Sequence, residues 1–382
     1  MSRTRRAAAL LTIAATGAGI TTAVVASPSA HAATTSGIHT RAQVPWSKVG
    51  SGWTAASVTK TGHNSLVLVS PAGQSYQIAT LRSGENVLSI ANDGKHVLTT
   101  YLTSDANPAV RYRVWDARSG KVSTTLAADV SFAGFTRSTG SAVNETLENN
   151  TFQRVTVTGH KELRVANRPG TIFDLPHPGG LLDAASEGNH AVTLYNHVTM
   201  KPVRTYAMPK GAKGCVAVGW TDASTLLEAC TTKELGDLNQ QEVFRQNING
   251  GAPQALTTGS WAGDITAPFG QGFVDADQTV LGTVATAHNE DLSGKRSTVY
   301  RVQSGRVVGT IKAPLAADVA KSVDTAKVVG NIVFYTHTNP PMGDNGAVAA
   351  YDLRTKKVSY LVGPHSQYGG KATSTAVIDP RY

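Results

Sequence analysis

Two histidines, His288 in "TAHNEDLSGKRS" and His337 in "THTNPPMGDNG", stand in polar segments close to the carboxylates Glu290, Asp291 and Asp344. Imidazole nitrogens and carboxylate oxygens are the groups that bind a divalent metal or form an acid/base pair, so this set has the composition of a catalytic or metal cluster. Two further polar segments, "LTSDANPAVR" (residues 102–111) and "TTKELGDLNQQ" (231–241), add Asp105, Asn107, Glu234, Asp237 and Asn239. Exposed loops carry such residues for solubility alone, however. Neither "HNED" nor "DNG" has the regularly spaced acids and closing Glu of a calcium loop. No G-x-S-x-G, H-E-x-x-H, phosphate-binding loop or strand-to-helix G-x-G-x-x-G occurs. Asp105, Asn107, Asp237, His288, Asp291, His337 and Asp344 are therefore read as ligand-contacting positions, with no catalytic residue, metal or cofactor assigned.

The start of the chain says where such a site would operate. "MSRTRRAAALLTIAATGAGITTAVVASPSAHAA" has a basic head (Arg3, Arg5, Arg6), an apolar run diluted by threonine and glycine, and small residues at Ala30 and Ala32. That is the plan of a secretory signal peptide cleaved after Ala32, and the dilution argues against a spanning helix. We expect a signal peptide over 1–32, a flexible segment over 33–43, one domain over 44–382, and a secreted monomer. Removing the three leader arginines lowers the formal charge from +9 to +6. The surplus is scattered (Lys48, Arg111, Arg154, Lys210, Arg306) with no basic block interleaved with aromatics, which excludes a nucleic-acid surface. Extracellular proteins, glycans and small ligands remain as partners.

The two cysteines, Cys215 and Cys230, flank "VAVGWTDASTLLEA", whose turn-forming residues Thr221 to Ser224 lie midway. A simple hairpin would oppose the two residues at a distance suited to a disulfide, which an exported chain would keep oxidised.

The elements that must position the polar segments recur. Beyond residue 40, short runs of Val, Thr, Tyr and Ile alternate with Gly, Asn, Asp and Ser, the pattern of an all-β chain. "RYRVWDARSGKVSTTL", "AVTLYNHVTMKPVRTY" and "GAVAAYDLRTKKVSYLVG" share one strand-turn-strand plan. Seven such turns, at Gly73, Gly120, His160, Met200, Gly251, Gly305 and Lys356, are spaced 40 to 54 residues apart. Inner hairpins are visible in "NVLSIANDGKHVLTTY" and in the cysteine segment. This period predicts an all-β, seven-bladed β-propeller of four-stranded antiparallel blades. Asp116 and Asp352 then read as turn caps, since an Asp carboxylate accepts backbone N–H groups one or two residues on.

"YRVWDARSGKV" resembles the outer strand-turn-strand of WD-repeat, YVTN-type and TolB-like propellers, on Asp116, Ser119, Gly120 and Lys121. Asp352, Thr355 and Lys356 repeat it, with Lys in the Gly position. "SIANDGKHVL" resembles the inner hairpin of TolB-like propellers. The resemblance implies the fold and no activity. The polar segments fall at one repeat position, between second and third strands, so they share one face. The sequence thus reads as a secreted, non-catalytic propeller binding a protein, glycan or small ligand there. The alternative is a hydrolase or lyase acting on a sugar or lactone with a His/acid site on that face.

Overall fold

The computed structural model describes residues 38–104, 109–126, 130–136, 142–147, 151–165, 173–177, 182–186, 191–235, 238–255, 279–285, 297–303, 306–323, 325–336 and 346–379. Apart from helix Ala317–Ser322 and two short 3-10 turns, every element among them is a strand.

The strands form sheets that follow chain order. Sheet 1 contains Thr54–Lys60, His63–Val69 and Ser75–Thr80, and sheet 2 contains Asn86–Ile90, His96–Leu102, Val110–Asp116 and Lys121–Thr125. Sheet 3 contains Val130–Phe135, Ala142–Leu147, Phe152–Thr156 and Lys161–Val165, and sheet 4 contains Phe173–Pro176, Leu182–Ser186, Val192–Asn196 and Pro202–Thr205. Sheet 5 contains Gly214–Asp222, Thr225–Leu235, Leu238–Asn247 and Gln254–Ala255. Sheet 6 contains Thr279–Ala285, Ser297–Gln303 and Arg306–Ile311, and sheet 7 contains Thr325–Val329, Ile332–Thr336, Val348–Asp352 and Val358–Val362.

The expectation of seven uniform four-stranded blades is corrected: five sheets (2, 3, 4, 5 and 7) have that make-up, not seven. Sheet 1 has five strands because both ends of the chain add to it. Lys371–Val377 runs antiparallel to Thr54–Lys60, with Ala376 opposite Ala55, and His39–Thr40 runs parallel to Ser75–Thr80 at the outer edge. Residues 33–43 were expected to be flexible. From Ile38 onward they take defined structure, because His39 and Thr40 pair with Tyr76 and Gln77 and the His39 ring stacks on Tyr76. Sheet 6 has three described strands; residues 256–278, which precede it, lie outside the described residues.

Alternation along each strand explains how the sheets pack. In sheet 1, Ala55, Leu66 and Leu68 join Val87, Val97 and Trp115 of sheet 2 in one apolar cluster. Their neighbours Ala56, Val58, Val67 and Val69 point the other way, into a cluster with Phe334, Ala350 and Leu361 of sheet 7. Sheet 2 repeats the division, its Leu98 and Val114 packing with Ala133, Val143 and Val155 of sheet 3. Sheets buried on both faces and stacked on their chain neighbours, with the two termini meeting in sheet 1, make an all-β propeller.

Polar groups fasten two of these seams. Glu85, fully buried in the link from sheet 1 to sheet 2, accepts hydrogen bonds from Thr99 Oγ1 (2.6 Å), Trp115 Nε1 (3.0 Å) and Arg113 Nη1 (3.2 Å). Arg113 stacks on Tyr101, 4.5 Å from the ring centre. Between sheets 3 and 4, the buried Arg154 donates to Asn144 Oδ1 and to the carbonyl oxygen of His197.

Candidate functional site

In an antiparallel four-stranded meander, the connection between the second and third strands emerges at the same end as the link to the next sheet. The opposite end carries the first and third turns. This divides the described turns into two rims.

The third turns, which set the repeat period, are built alike. Asp116 Oδ1 accepts the N–H groups of Arg118 (2.9 Å) and Ser119 (3.4 Å), Asn196 Oδ1 those of Val198 and Thr199, and Asp352 Oδ1 those of Arg354 and Thr355. Each carbonyl oxygen then takes the N–H four residues on, from Gly120, Met200 or Lys356. Those donor residues stand at φ +68°, +52° and +59°, so Met200 and Lys356 adopt a backbone conformation that glycine takes without strain. Asp116 and Asp352 are turn caps, as their spacing implied. Burial works against the Asp116 carboxylate, but hydrogen bonds from Ser119 and Arg118 outweigh it and hold the group below its ordinary value.

The other rim carries the polar segments. In sheet 2, Thr103 and Ala109 close the base of the insertion through Thr103 N–H to the Ala109 carbonyl (2.9 Å) and Ala109 N–H to Thr103 Oγ1 (3.0 Å). In sheet 5 the expected loop over 231–241 is corrected to a hairpin arm: Thr231 pairs with Gln241, Lys233 with Gln240, Glu234 with Asn239 and Leu235 with Leu238. Cross-strand hydrogen bonding extends both strands beyond Gly214, where the neighbouring strand begins, although the arm lacks apolar alternation. In sheets 6 and 7 the insertions fall between Ala285 and Ser297 and between Thr336 and Val348. Asp105, Asn107, Asp237, His288, Asp291, His337 and Asp344 all lie outside the described residues.

Two features of this rim escaped sequence reasoning. The link from sheet 7 to the closing strand brings His365 against Asp318 of the helix between sheets 6 and 7, with Nε2 3.1 and 3.0 Å from the two carboxylate oxygens. The His365 hydrogen bond is the main cause holding Asp318 below the usual carboxylate range. His365 itself stands at φ +65°, and its ring lies 5.2 Å from that of Tyr360. No motif joins residues so far apart in sequence. The second feature is Lys60, whose Nζ donates to the Tyr368 carbonyl oxygen at 2.8 Å.

Cys215 and Cys230 are paired directly opposite one another and form the expected disulfide, with Cα atoms 4.0 Å apart. Two residues before Cys230, on the same face, Glu228 is 1% exposed and its Oε1 has no hydrogen-bond partner. Burial pushes its carboxyl up to about 7. Elsewhere, Trp53, Trp115 and Trp220 are buried in the seams, and Asn144, which opens an Asn-Glu-Thr glycosylation sequon, is 5% exposed and bonded to Arg154, which leaves no room for a glycan. Among the described residues no helix is long and apolar enough to cross a membrane.

No protein-family model matches the chain, and no curated protein matches it in sequence. Solved structures do match. The C-terminal WD40 domain of Sif2 is 13% identical, with 87% of this chain and 84% of that one covered at a TM-score of 0.48. BamB from Moraxella catarrhalis is 12% identical, with 85% of each chain covered at a TM-score of 0.45. The β-propeller domain of the Trilobed protease from Pyrococcus furiosus is 8% identical, covering 72% of this chain and 84% of that one at 0.48. At these identities and TM-scores the matches indicate no ligand.

Proposed function

We propose that this is an exported, non-catalytic propeller that binds an extracellular protein, glycan or small ligand through the rim carrying its inserted connections. In this reading residues 1–32 direct export and are removed, and the propeller is one monomeric ring. The carrying observation is positional: the insertion in sheet 2, the hairpin arm of sheet 5 and the insertion of sheet 7 fall between second and third strands. The opposite rim consists largely of tight, capped turns. Ligand-binding loops held on a rigid scaffold are drawn from such a placement.

The test is single alanine substitution at Asp105, Asn107, Asp237, His288, Asp291, His337 and Asp344, reading retention of secreted proteins and isolated cell-wall glycan by the immobilised mature chain. Loss of retention in several rim variants, with none in the opposite-rim variant Lys356→Ala, supports the reading. Equal retention throughout contradicts it.

A further inference from the structure

The buried carboxyl of Glu228 is difficult to account for in the oxidised protein. It lies in the seam between sheets 4 and 5 among Ala184, Leu194, Tyr206, Leu226 and Phe244, and an unpartnered oxygen there is costly. While Cys215 and Cys230 are bonded to each other, their sulfurs offer it no proton. Opening that bond would place two thiols beside it. The strand register places Cys215 opposite Cys230 and Ala217 opposite Glu228, so both sulfurs and the carboxylate share one face, with a single methyl group beside them. The ligand atoms of the three residues all lie within 4.8 Å of one another. Ligands around a tetrahedral zinc ion, bound at about 2.3 Å for sulfur and 2.0–2.2 Å for oxygen, stand roughly 3.5–3.8 Å apart. Side-chain rotation therefore suffices, with no change of strand register.

We propose that, once the disulfide is reduced, Cys215, Cys230 and Glu228 form a three-ligand site for a borderline divalent cation of the zinc type. The balance is complete with a phosphine reductant: phosphorus gives two electrons to the S–S bond, water supplies the oxygen of the phosphine oxide and two protons, and two thiols result. Cation binding then displaces both thiol protons, leaving two thiolates and one carboxylate as ligands. Two sulfurs and one oxygen select zinc or cobalt over calcium or magnesium, which take oxygen alone. Oxidised, the cluster is a staple across the hairpin; reduced, it is a metal site inside the seam, at the foot of the arm that begins at Thr231.

The experiment reduces the full mature chain with a phosphine, removes the reductant under anaerobic conditions and titrates with Co2+, followed by Zn2+. The expected result is one Co2+ per chain with sulfur-to-cobalt charge-transfer absorption, displaced by Zn2+ and absent from the oxidised protein. Glu228→Leu should weaken the affinity at least tenfold; should that variant fail to fold, Glu228→Gln is read in the same way. If the reduced chain loses its β-sheet circular dichroism, restoration by Zn2+ supports the proposal and failure to restore overturns it. A folded reduced chain without the absorption overturns it, as does an affinity unchanged by loss of the carboxylate.

Discussion

Asp116 and Asp352 make the same turn in sheets 2 and 7: each carboxylate caps two backbone N–H groups and each carbonyl takes a third. They differ in burial, Asp352 being 2% exposed with an unpartnered Oδ2. Asp116→Ala should lower stability by about 1 kcal/mol, as for loss of a helix cap, and Asp352→Ala by more. Denaturant midpoints check both. Because the folded Asp116 carboxyl sits below its ordinary 3.8, its contribution is present above that value and lost as pH falls through the folded one. Asp116→Asn should flatten that acid limb.

Glu85→Ala should be far more damaging. It removes the acceptor shared by Thr99, Trp115 and Arg113, stranding a guanidinium that is mostly buried. Breaking a buried pair from one side costs about 3–5 kcal/mol. A loss under about 1 kcal/mol in urea unfolding would show that the seam between sheets 1 and 2 rests on its apolar cluster alone.

Glu228 gives the opposite pH behaviour to Asp116 in the oxidised protein. Its folded value, about 7, lies above the ordinary 4.5, so the folded state holds the proton more tightly. Stability is greatest below about 4.5 and falls as pH rises through 7, by about 3 kcal/mol from a shift of this size. Thermal unfolding of Glu228→Leu at pH 5 and pH 8 should show that dependence removed and the melting temperature at pH 8 raised.

Deleting residues 371–382 removes the strand paired with Thr54–Lys60 and uncovers one side of sheet 1. Cooperative unfolding should give way to a broad transition, monitored by tryptophan fluorescence of Trp53 and Trp115. An unchanged sharp transition would mean that the termini do not hold the ring together.

What the sequence disclosed depended on how local the signal was. The turns at Gly120, Met200 and Lys356 were legible because a cap and a turn residue four positions apart leave a fixed mark in sequence. The disulfide was legible because a single cysteine pair straddled a turn. The partner of Lys371–Val377 was not, since its strand pairing spans almost the whole chain. The arm over 231–241 read as a loop because its residues, Thr-Thr-Lys-Glu-Leu-Gly-Asp-Leu-Asn-Gln-Gln, lack apolar alternation. His365 and Asp318 meet only through the fold, and Glu228 looks in sequence like any acid on a half-exposed strand. The helix Ala317–Ser322 left no mark in the sequence pattern, being too short to show a helical period.

The central claim is that the rim with the inserted connections is the binding face. Its most direct test replaces residues 286–296 and 337–345 by short Asn-Gly turns in the mature chain and compares ligand retention with the unaltered protein at matched melting temperature. The account predicts that the unaltered chain retains a secreted protein or isolated cell-wall glycan and that the trimmed chain, folded as before, loses at least about tenfold in affinity. Equal retention by the trimmed chain, or none by either, would contradict it.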